Sequence, residues 1–149
     1  MCGIAGYWTP RSVDKTNEAI SAMLGTIVHR GPDSHGVWRD SRGSVVLGQR
    51  RLAIIDLSPG GHQPMLSDDS KTVITFNGEI YNYLELRQEL EAKGIRFRSQ
   101  SDTEVLLKGY EVWGVNVLDK LVGMFAFALW DEKKQQLFCA RDRAGEKPF

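Results

Sequence analysis

The segment FAFALW (125–130) limits the folds open to this chain more than any other stretch. Its side chains are apolar on both faces of a strand, which is typical of a sheet that is covered on each side. The segment QQLFCARD follows across the short connection EKK and predicts the second strand of a hairpin. The chain is therefore expected to bury this sheet between two other layers.

Three helices are predicted from apolar spacing and from helix-start patterns. Over the range 14–29, apolar residues recur at the i, i+3, i+4, i+7 spacing of one helical face, namely Ile20, Met23, Leu24 and Ile27. The segments NYLE (82–85) and SDTE (101–104) are typical of capping boxes. The two helices that they open are expected to end near Gly94 and Gly114.

Four further segments predict strands. They are CGIAGYW (2–8), SVVLGQRRLAIID (44–56) as one strand or two, KTVITFN (71–77), which is expected to end at NGE, and IRFR (95–98). RGPDSHG and LSPGGHQPML read as breaks because of their glycine and proline content. Strands outnumber helices, so the predicted class is α+β, with mainly antiparallel sheets packed between helical layers.

Composition excludes several kinds of function. A length of 149 residues fits one domain, and the 19 basic and 19 acidic residues cancel, which argues against nucleic acid as a partner. MFAFALW is too short to span a bilayer, and no signal-peptide pattern opens the chain. The two cysteines form no disulfide framework and favour the cytoplasm. The three histidines lack metal-ligand spacing, so no metal site is expected.

Cys2 directly follows the initiator methionine. Removal of Met1 would give Cys2 a free α-amine, whose reference pKa of about 7.7–8.0 leaves part of it neutral near pH 7. That amine can take the proton of the thiol on the same residue. The alternative interpretation is a small apolar residue near a frayed terminus. Position two favours a nucleophile that carries its own base.

Seven motifs occur in order along the chain: MCGIAGYW, HRGPDSHG, RLAIIDLSPGGHQPM, FNGEIYNYLELR, SDTEVLLKGYEVWG, LVGMFAFALWD and ARDRAGEKPF. Together they closely resemble the glutaminase domain of glutamine-hydrolysing asparagine synthetases. This resemblance implies an N-terminal-nucleophile (Ntn) hydrolase, a four-layer αββα sandwich in which Cys2 attacks the side-chain amide of glutamine. Phosphoribosyl-amine and glucosamine-phosphate amidotransferases also start with Cys-Gly but are less similar around HRGPD and RLAIID.

The attack creates an oxyanion, which needs hydrogen-bond donors fixed in advance. The Asn77 side chain and the Gly78 N–H can supply them, and the resemblance assigns both roles to these positions. On its own, Asn-Gly is a strong signal for a hairpin turn, and that alternative stays open here.

The two ends of glutamine need partners of opposite charge. Arg50 and Arg51 should point to opposite faces of a strand, and a guanidinium can hold the α-carboxylate with two hydrogen bonds. The resemblance gives this role to Arg51. Arg50 is then expected to be a surface arginine. The backbone groups of Leu52, Ala53, Ile54 and Ile55 are expected to line the same pocket. It gives the α-ammonium to Asp102, with Glu79 nearby, although Asp102 also suits the first turn of a helix.

Two other features are given structural roles. Because Cys2 brings its own base, the HRGPD loop is expected to hold an internal pair between Arg30 and Asp33, and not to supply a catalytic histidine. Cys139 is expected to be a buried strand residue.

The resemblance also sets the expected domain and partners. Residues 1–149 read as a glutaminase domain that is incomplete at its C-terminus, and the synthetase domain, with its SGG-DS type of ATP loop, is absent from the sequence. No cofactor is expected in this chain; ATP and Mg belong to the missing domain. The implied partners are L-glutamine and a C-terminal synthetase domain or subunit, and a homodimer of the full-length protein is compatible. Alternatives are a domain serving a sugar or peptide carboxylate, or a catalytically silent regulatory homologue.

Overall fold

The computed structural model describes residues 2–9, 16–53 and 59–149. Met1, the predicted helix start at 14–15, and Ile54 and Ile55 lie outside the described residues. The regular elements are β1 (Gly3–Trp8), α1 (Thr16–Thr26), β2 (Ser34–Arg39), β3 (Val45–Arg51), β4 (Met65–Leu66), β5 (Thr72–Ile80), α2 (Tyr83–Ala92), α3 (Asp102–Trp113), β6 (Gly123–Asp131) and β7 (Gln136–Arg141). Short 3₁₀ helices cover Val28–Arg30, Pro59–Gly61 and Gly114–Lys120.

The strands form two antiparallel sheets, with the orders β1-β3-β2 and β4-β5-β6-β7. Side chains of β3 alternate between the two faces of its sheet. Val45 and Leu47 pack with Trp130 of β6, between the sheets. Val46 packs with Ile20 of α1 on the opposite face. The first sheet therefore lies between α1 and the second sheet.

The second sheet is covered on both faces, as FAFALW predicts. Every residue of this segment is buried. Phe127 and Leu129 pack in one cluster with Leu90 of α2 and Leu106 of α3, whereas Ala128 faces the first sheet. The layer order is helix, sheet, sheet, helix, which confirms the predicted four-layer sandwich and the β6–β7 hairpin.

One predicted strand is not formed, and one predicted break is partly a strand. IRFR forms no strand, because its backbone groups bond to the neighbouring helices. The Ile95 N–H donates to the Leu90 carbonyl oxygen (3.1 Å), and the Arg98 N–H donates to Glu104 Oε1 (3.0 Å). Because the Glu104 carboxylate is used in this way, it does not close the predicted capping box. By contrast, β2 begins within RGPDSHG, which was expected to be a break. This edge strand is only partly buried, so it lacks the apolar run that marks an interior strand.

Helix ends also differ from the prediction. α1 ends at Thr26, before the predicted end at His29, and Met23 is exposed although its spacing predicts an apolar face. Asn82 does not cap α2; its side chain accepts from the Val122 N–H (3.0 Å) and ties the helix to the start of β6. None of the helices in the described ranges is long and apolar enough to cross a membrane.

Two buried hydrogen bonds join the sheets near the end of β3. Gln49 Nε2 donates to the Phe76 carbonyl oxygen (2.9 Å), and Thr75 Oγ1 donates to the Gly48 carbonyl oxygen (3.2 Å). Gln49 is fully buried and Thr75 is 1% exposed. Because a buried polar group is costly unless it is bonded, these contacts favour one offset between the sheets.

We predict that Phe127→Ala lowers the free energy of unfolding by about 3–5 kcal/mol, because it leaves a cavity beneath α2 and α3. Phe127 is fully buried. The matched control is Leu84→Ala on α2, where the side chain is exposed and the expected loss is below about 0.5 kcal/mol. Urea unfolding would measure both, and equal losses would contradict the described core.

Candidate active site

Cys2 lies beside the end of β3. The register of the first sheet pairs Gly3 with Arg50, so Cys2 comes level with Arg51 and Leu52. The Leu52 N–H donates to Cys2 Sγ (3.4 Å), and the thiol lies 3.6 Å from the Leu52 carbonyl oxygen. The thiol is partly buried. The backbone of Leu52 therefore fixes the position of the sulfur beside the end of β3.

The HRGPD loop holds the backbone on both sides of this contact. Arg30 Nε donates to the Cys2 carbonyl oxygen (3.2 Å), and Asp33 Oδ2 accepts from the Ala53 N–H (2.9 Å). The predicted pairing of Arg30 with Asp33 is therefore wrong, because each side chain bonds to a peptide group of another segment. The loop is structural, as expected, but it supports Cys2 directly.

Arg50 and Arg51 lie on opposite faces of β3, as predicted from the alternation of side chains. Arg51 shares the face between the sheets with Gln49 and lines a cleft together with Cys2. Arg50 lies on the α1 side, where its Nε donates to the Leu24 carbonyl oxygen (3.1 Å). Arg50 thus binds the last turn of α1 and is more than a surface arginine.

Asn77, Gly78 and Glu79 lie inside β5, which continues to Ile80. The predicted end of this strand at NGE is therefore wrong, and so is the alternative interpretation of NGE as a hairpin turn. Asn77 is 2% exposed and lines the cleft. A Cβ atom on Gly78 would collide with the Met124 carbonyl oxygen, so this glycine permits close pairing with β6.

The main-chain groups of Gly78 point away from β6. Gly78 is level with Phe125, whose N–H and carbonyl both bond to Asp142 (3.1 and 2.8 Å) on the other side. In such a pair, the two residues direct their N–H and C=O groups away from each other. β4 pairs only with Val73 and Ile74. The described strands therefore leave the Gly78 N–H open to the cleft.

Side chains occupy the same edge of β5 on either side of Gly78. The Phe76 N–H donates to Gln63 Oε1 (2.7 Å), and its carbonyl is bonded to the first sheet. The Ile80 N–H donates to Asp102 Oδ2 (3.0 Å). The Gly78 N–H is thus an open donor between two occupied positions.

Asp102 is the first residue of α3 and is 5% exposed. Ser101 Oγ accepts from the Thr103 N–H (3.1 Å), which confirms Ser101 as the helix cap. Burial raises the pKa of Asp102 to about 6 and the Glu79 carboxylate adds to the rise, although the N–H groups of Ile80 and Thr103 oppose it. A bound ammonium group would favour the ionised carboxylate.

One cleft brings together most of the residues predicted from the sequence. It is lined by Cys2, Arg51, Leu52, Asn77, Gly78, Glu79 and Asp102. Ala53 contributes through its hydrogen bond to Asp33 and does not line the cleft. The predicted Ile54 and Ile55 lie outside the described residues. Cys139 lies in β7 away from this cleft and is exposed, so its predicted burial is wrong.

Four polar residues line the cleft that the sequence analysis did not predict: Gln63, Ser101, Thr103 and Lys147. Lys147 is 4% exposed, and its N–H donates to Asp142 Oδ2 (3.1 Å). Gln63 and Lys147 both lie in irregular connections, where no period or helix-start pattern points to them. The only local signal was their presence in the quoted motifs RLAIIDLSPGGHQPM and ARDRAGEKPF.

The charges in the cleft balance. Arg51 and Lys147 supply two cations, and Glu79 and Asp102 supply two carboxyl groups. Such a set suits a ligand that carries one charge of each sign. Within the described ranges, no group of three or more His, Cys, Asp or Glu side chains could hold a metal ion.

Comparison with known families gives one match over the whole chain. A family model described as a glutamine amidotransferase domain matches residues 1–149. Two similar curated proteins are asparagine synthetases (glutamine-hydrolysing) 1 and 3 of Bacillus subtilis, 48% and 46% identical to this chain. Each alignment covers 100% of this chain and 24% of the relative, so the chain spans about a quarter of their length.

A solved structure of similar fold is the glutamine phosphoribosylpyrophosphate amidotransferase of B. subtilis, complexed with ADP and GMP. It matches with a TM-score of 0.78 at 23% sequence identity, over 97% of this chain and 38% of that chain. This likeness supports the predicted fold type.

We predict that the stability difference between Asp102→Asn and the wild type depends on pH. Between pH 3.8, the ordinary value for Asp, and about 6, folded Asp102 keeps a proton that the unfolded chain has released. The wild type therefore loses stability as pH rises through this window, by a total on the order of 3 kcal/mol, and the variant lacks this loss. Urea unfolding of both proteins at several pH values would test it. A difference that stays constant with pH would contradict the described burial.

Proposed function

The chain belongs to the glutamine amidotransferase family, and we propose that its cleft hydrolyses the side-chain amide of L-glutamine with Cys2 as the nucleophile. The observation that carries the proposal is the convergence of the Cys2 thiol and the open Gly78 N–H on one cleft. Acyl transfer requires this combination of an attacking atom and a fixed donor for the oxyanion.

The α-amine of Cys2 serves as the base after Met1 is removed. It accepts the thiol proton, and the thiolate attacks the amide carbon of glutamine. The Leu52 N–H donates to Sγ (3.4 Å) and positions the sulfur, and Arg30 holds the Cys2 carbonyl in place. The α-ammonium then returns its proton to the leaving nitrogen, so that ammonia departs and a γ-glutamyl thioester remains.

Water completes the cycle. The α-amine takes a proton from the water that attacks the thioester, the carbon–sulfur bond breaks, and the thiol regains the proton. Glutamate is the second product. In both steps the carbonyl oxygen becomes an oxyanion, which the Asn77 side-chain amide and the Gly78 N–H stabilise. Asn77 is held in a buried strand, so little reorganisation is needed as the charge develops.

The charged groups of the cleft hold the two ends of the substrate. Arg51 binds the α-carboxylate, and the Leu52 backbone lines the same side of the cleft. Asp102 binds the α-ammonium, with Glu79 beside it. The free Asp102 carboxyl has a pKa raised to about 6, and the ammonium stabilises its charged form. Because the ammonium group and the ionised Asp102 carboxylate stabilise each other, the cleft favours a zwitterionic amino acid over a simple amide.

In the whole protein, the ammonia passes to a synthetase part that activates an acid with ATP and Mg. Support comes from relatives that carry the asparagine synthetase name and are about four times as long as this chain. The reaction of the whole protein is then the synthesis of asparagine, in the cytoplasm. The residues of the described cleft bind glutamine and do not select the acceptor, so a sugar or peptide carboxylate is the alternative.

We predict that Cys2→Ala abolishes release of ammonia from glutamine while the thermal unfolding temperature is retained. Cys2→Ser should also lose most activity, because a hydroxyl is much harder to deprotonate than a thiol. Cys139→Ser is the matched control and should keep wild-type activity; Cys139 is exposed in β7. Wild-type ammonia release by Cys2→Ala would refute the proposal, and a fully inactive wild type would favour a silent regulatory homologue.

We predict that substrate-end and oxyanion variants separate in steady-state kinetics. Arg51→Ala should mainly raise the KM for glutamine, because it removes binding that is equal in the ground and transition states. Asp102→Ala should do the same. Asn77→Ala should lower kcat by about 10²–10³ with a smaller change in KM, because its amide acts on the developing oxyanion. An unchanged KM in the first two variants, or an unchanged kcat in the third, would overturn the assignment of roles.

A further inference from the structure

Gln63 bridges the two elements that form the cleft from opposite sides. Its Oε1 accepts from the Phe76 N–H of β5 (2.7 Å), and its Nε2 donates to Thr103 Oγ1 of α3 (3.0 Å). Gln63 is 6% exposed and Thr103 is 2% exposed. The side chain lines the cleft, so both bonds lie beside the site of reaction.

We propose that Gln63 is a positioning residue for glutamine hydrolysis, which sets the Asn77–Gly78 donors of β5 and the Asp102 end of α3 in register with each other. The inference rests on the proposed function, and it adds a role for a residue that does not itself bind the reacting atoms. The role follows from what lies on the outer edge of β5.

Within the described ranges, no strand pairs with this edge of β5 beyond Ile74, and Gln63 takes the place of such a partner. β4 consists of Met65–Leu66 and pairs with Ile74 and Val73, so its ladder ends before Phe76. A strand edge without a partner is free to bend and to exchange its bonds with water. Gln63 lies two residues before β4, level with Phe76 in the register of this ladder, and its side-chain amide holds the Phe76 N–H. Asn77 is the next residue of β5, so a fixed Phe76 also fixes the backbone of Asn77.

Two links connect β5 to the start of α3, one on each side of the donors. The first is the Phe76–Gln63–Thr103 bridge. The second is the Ile80 N–H bond to Asp102 Oδ2 (3.0 Å). The strand between these links holds Asn77, Gly78 and Glu79. When substrate occupies Asp102 with its ammonium group, the Gln63 bridge still holds the helix to β5.

The two bonds of Gln63 have separable consequences. Loss of the bond to Phe76 loosens the oxyanion donors and lowers kcat, because an error of about 1 Å in such geometry costs up to about 10²-fold in rate. Loss of the bond to Thr103 displaces the start of α3 and weakens the hold on the α-ammonium, which raises KM. A residue that only stabilised the fold would change neither constant in a protein that remains folded.

The experiment compares Gln63→Leu, Gln63→Asn, Thr103→Val and the double variant Gln63→Leu/Thr103→Val in ammonia release from glutamine. Gln63→Leu should lower kcat about tenfold or more and raise KM. Gln63→Asn keeps the amide but is too short to bridge both partners, so it should follow Gln63→Leu. Thr103→Val should raise KM by a similar factor with kcat nearly unchanged. In the double variant, the second substitution should add nothing to KM.

Gln88→Leu is the matched control, because Gln88 is exposed on α2 and should retain both constants. Thermal unfolding identifies the folded variants on which kinetics are compared, and Gln63→Asn serves if Gln63→Leu does not fold. A wild-type kcat in either folded Gln63 variant, or additive effects on KM in the double variant, would overturn the inference while leaving the proposed function intact. A wild type that releases no ammonia would instead refute the proposed function.

Discussion

The site depends on how the two sheets are held against each other. Cys2 directly precedes β1, which pairs with β3 in the first sheet, whereas Asn77 and Gly78 belong to β5 of the second. The bond from Gln49 to the Phe76 carbonyl crosses between them with no solvent exposure of Gln49. A polar bond buried in this way is directional, so it orients the sheets where apolar packing alone would permit sliding. The core of the sandwich thereby sets the Cys2 thiol against Asn77 and Gly78, and the HRGPD loop holds the backbone of Cys2 in place.

The edge of β5 that faces the cleft is open because β4 is short. A longer β4 would pair with residues 76–80 and consume the Gly78 N–H in a sheet ladder. Because β4 begins only at Met65, opposite Ile74, the main-chain groups of β5 beyond Ile74 face side chains and the cleft. Gln63 takes one position and Asp102 takes another. The open donor is thus a consequence of sheet topology, and the glycine permits the close pairing with β6.

The alternation of side chains along strands predicted which face of a sheet a residue occupies. Alternation along β3 correctly separated Arg51 from Arg50, and the two apolar faces of FAFALW predicted the covered sheet. The resemblance to a known family named Cys2, Asn77, Gly78 and Asp102 together. Gln63 had no comparable signal, since its partners Phe76 and Thr103 lie 13 and 40 residues away in sequence. The Asn82 prediction failed for a related reason: its side chain accepts from the Val122 N–H just before β6, a contact that a helix-start pattern does not contain.

The most direct test of the account is the mass of the N-terminal peptide after the protein is mixed with glutamine and quenched in acid within one turnover. We expect a peptide that begins at Cys2, lacks Met1 and carries one glutamyl group on the sulfur, which is released on treatment with hydroxylamine. The Cys139 peptide from the same digest should be unmodified. A glutamyl group on Cys139, or an active protein in which Met1 still precedes a modified Cys2, would contradict the claim that one residue supplies both nucleophile and base.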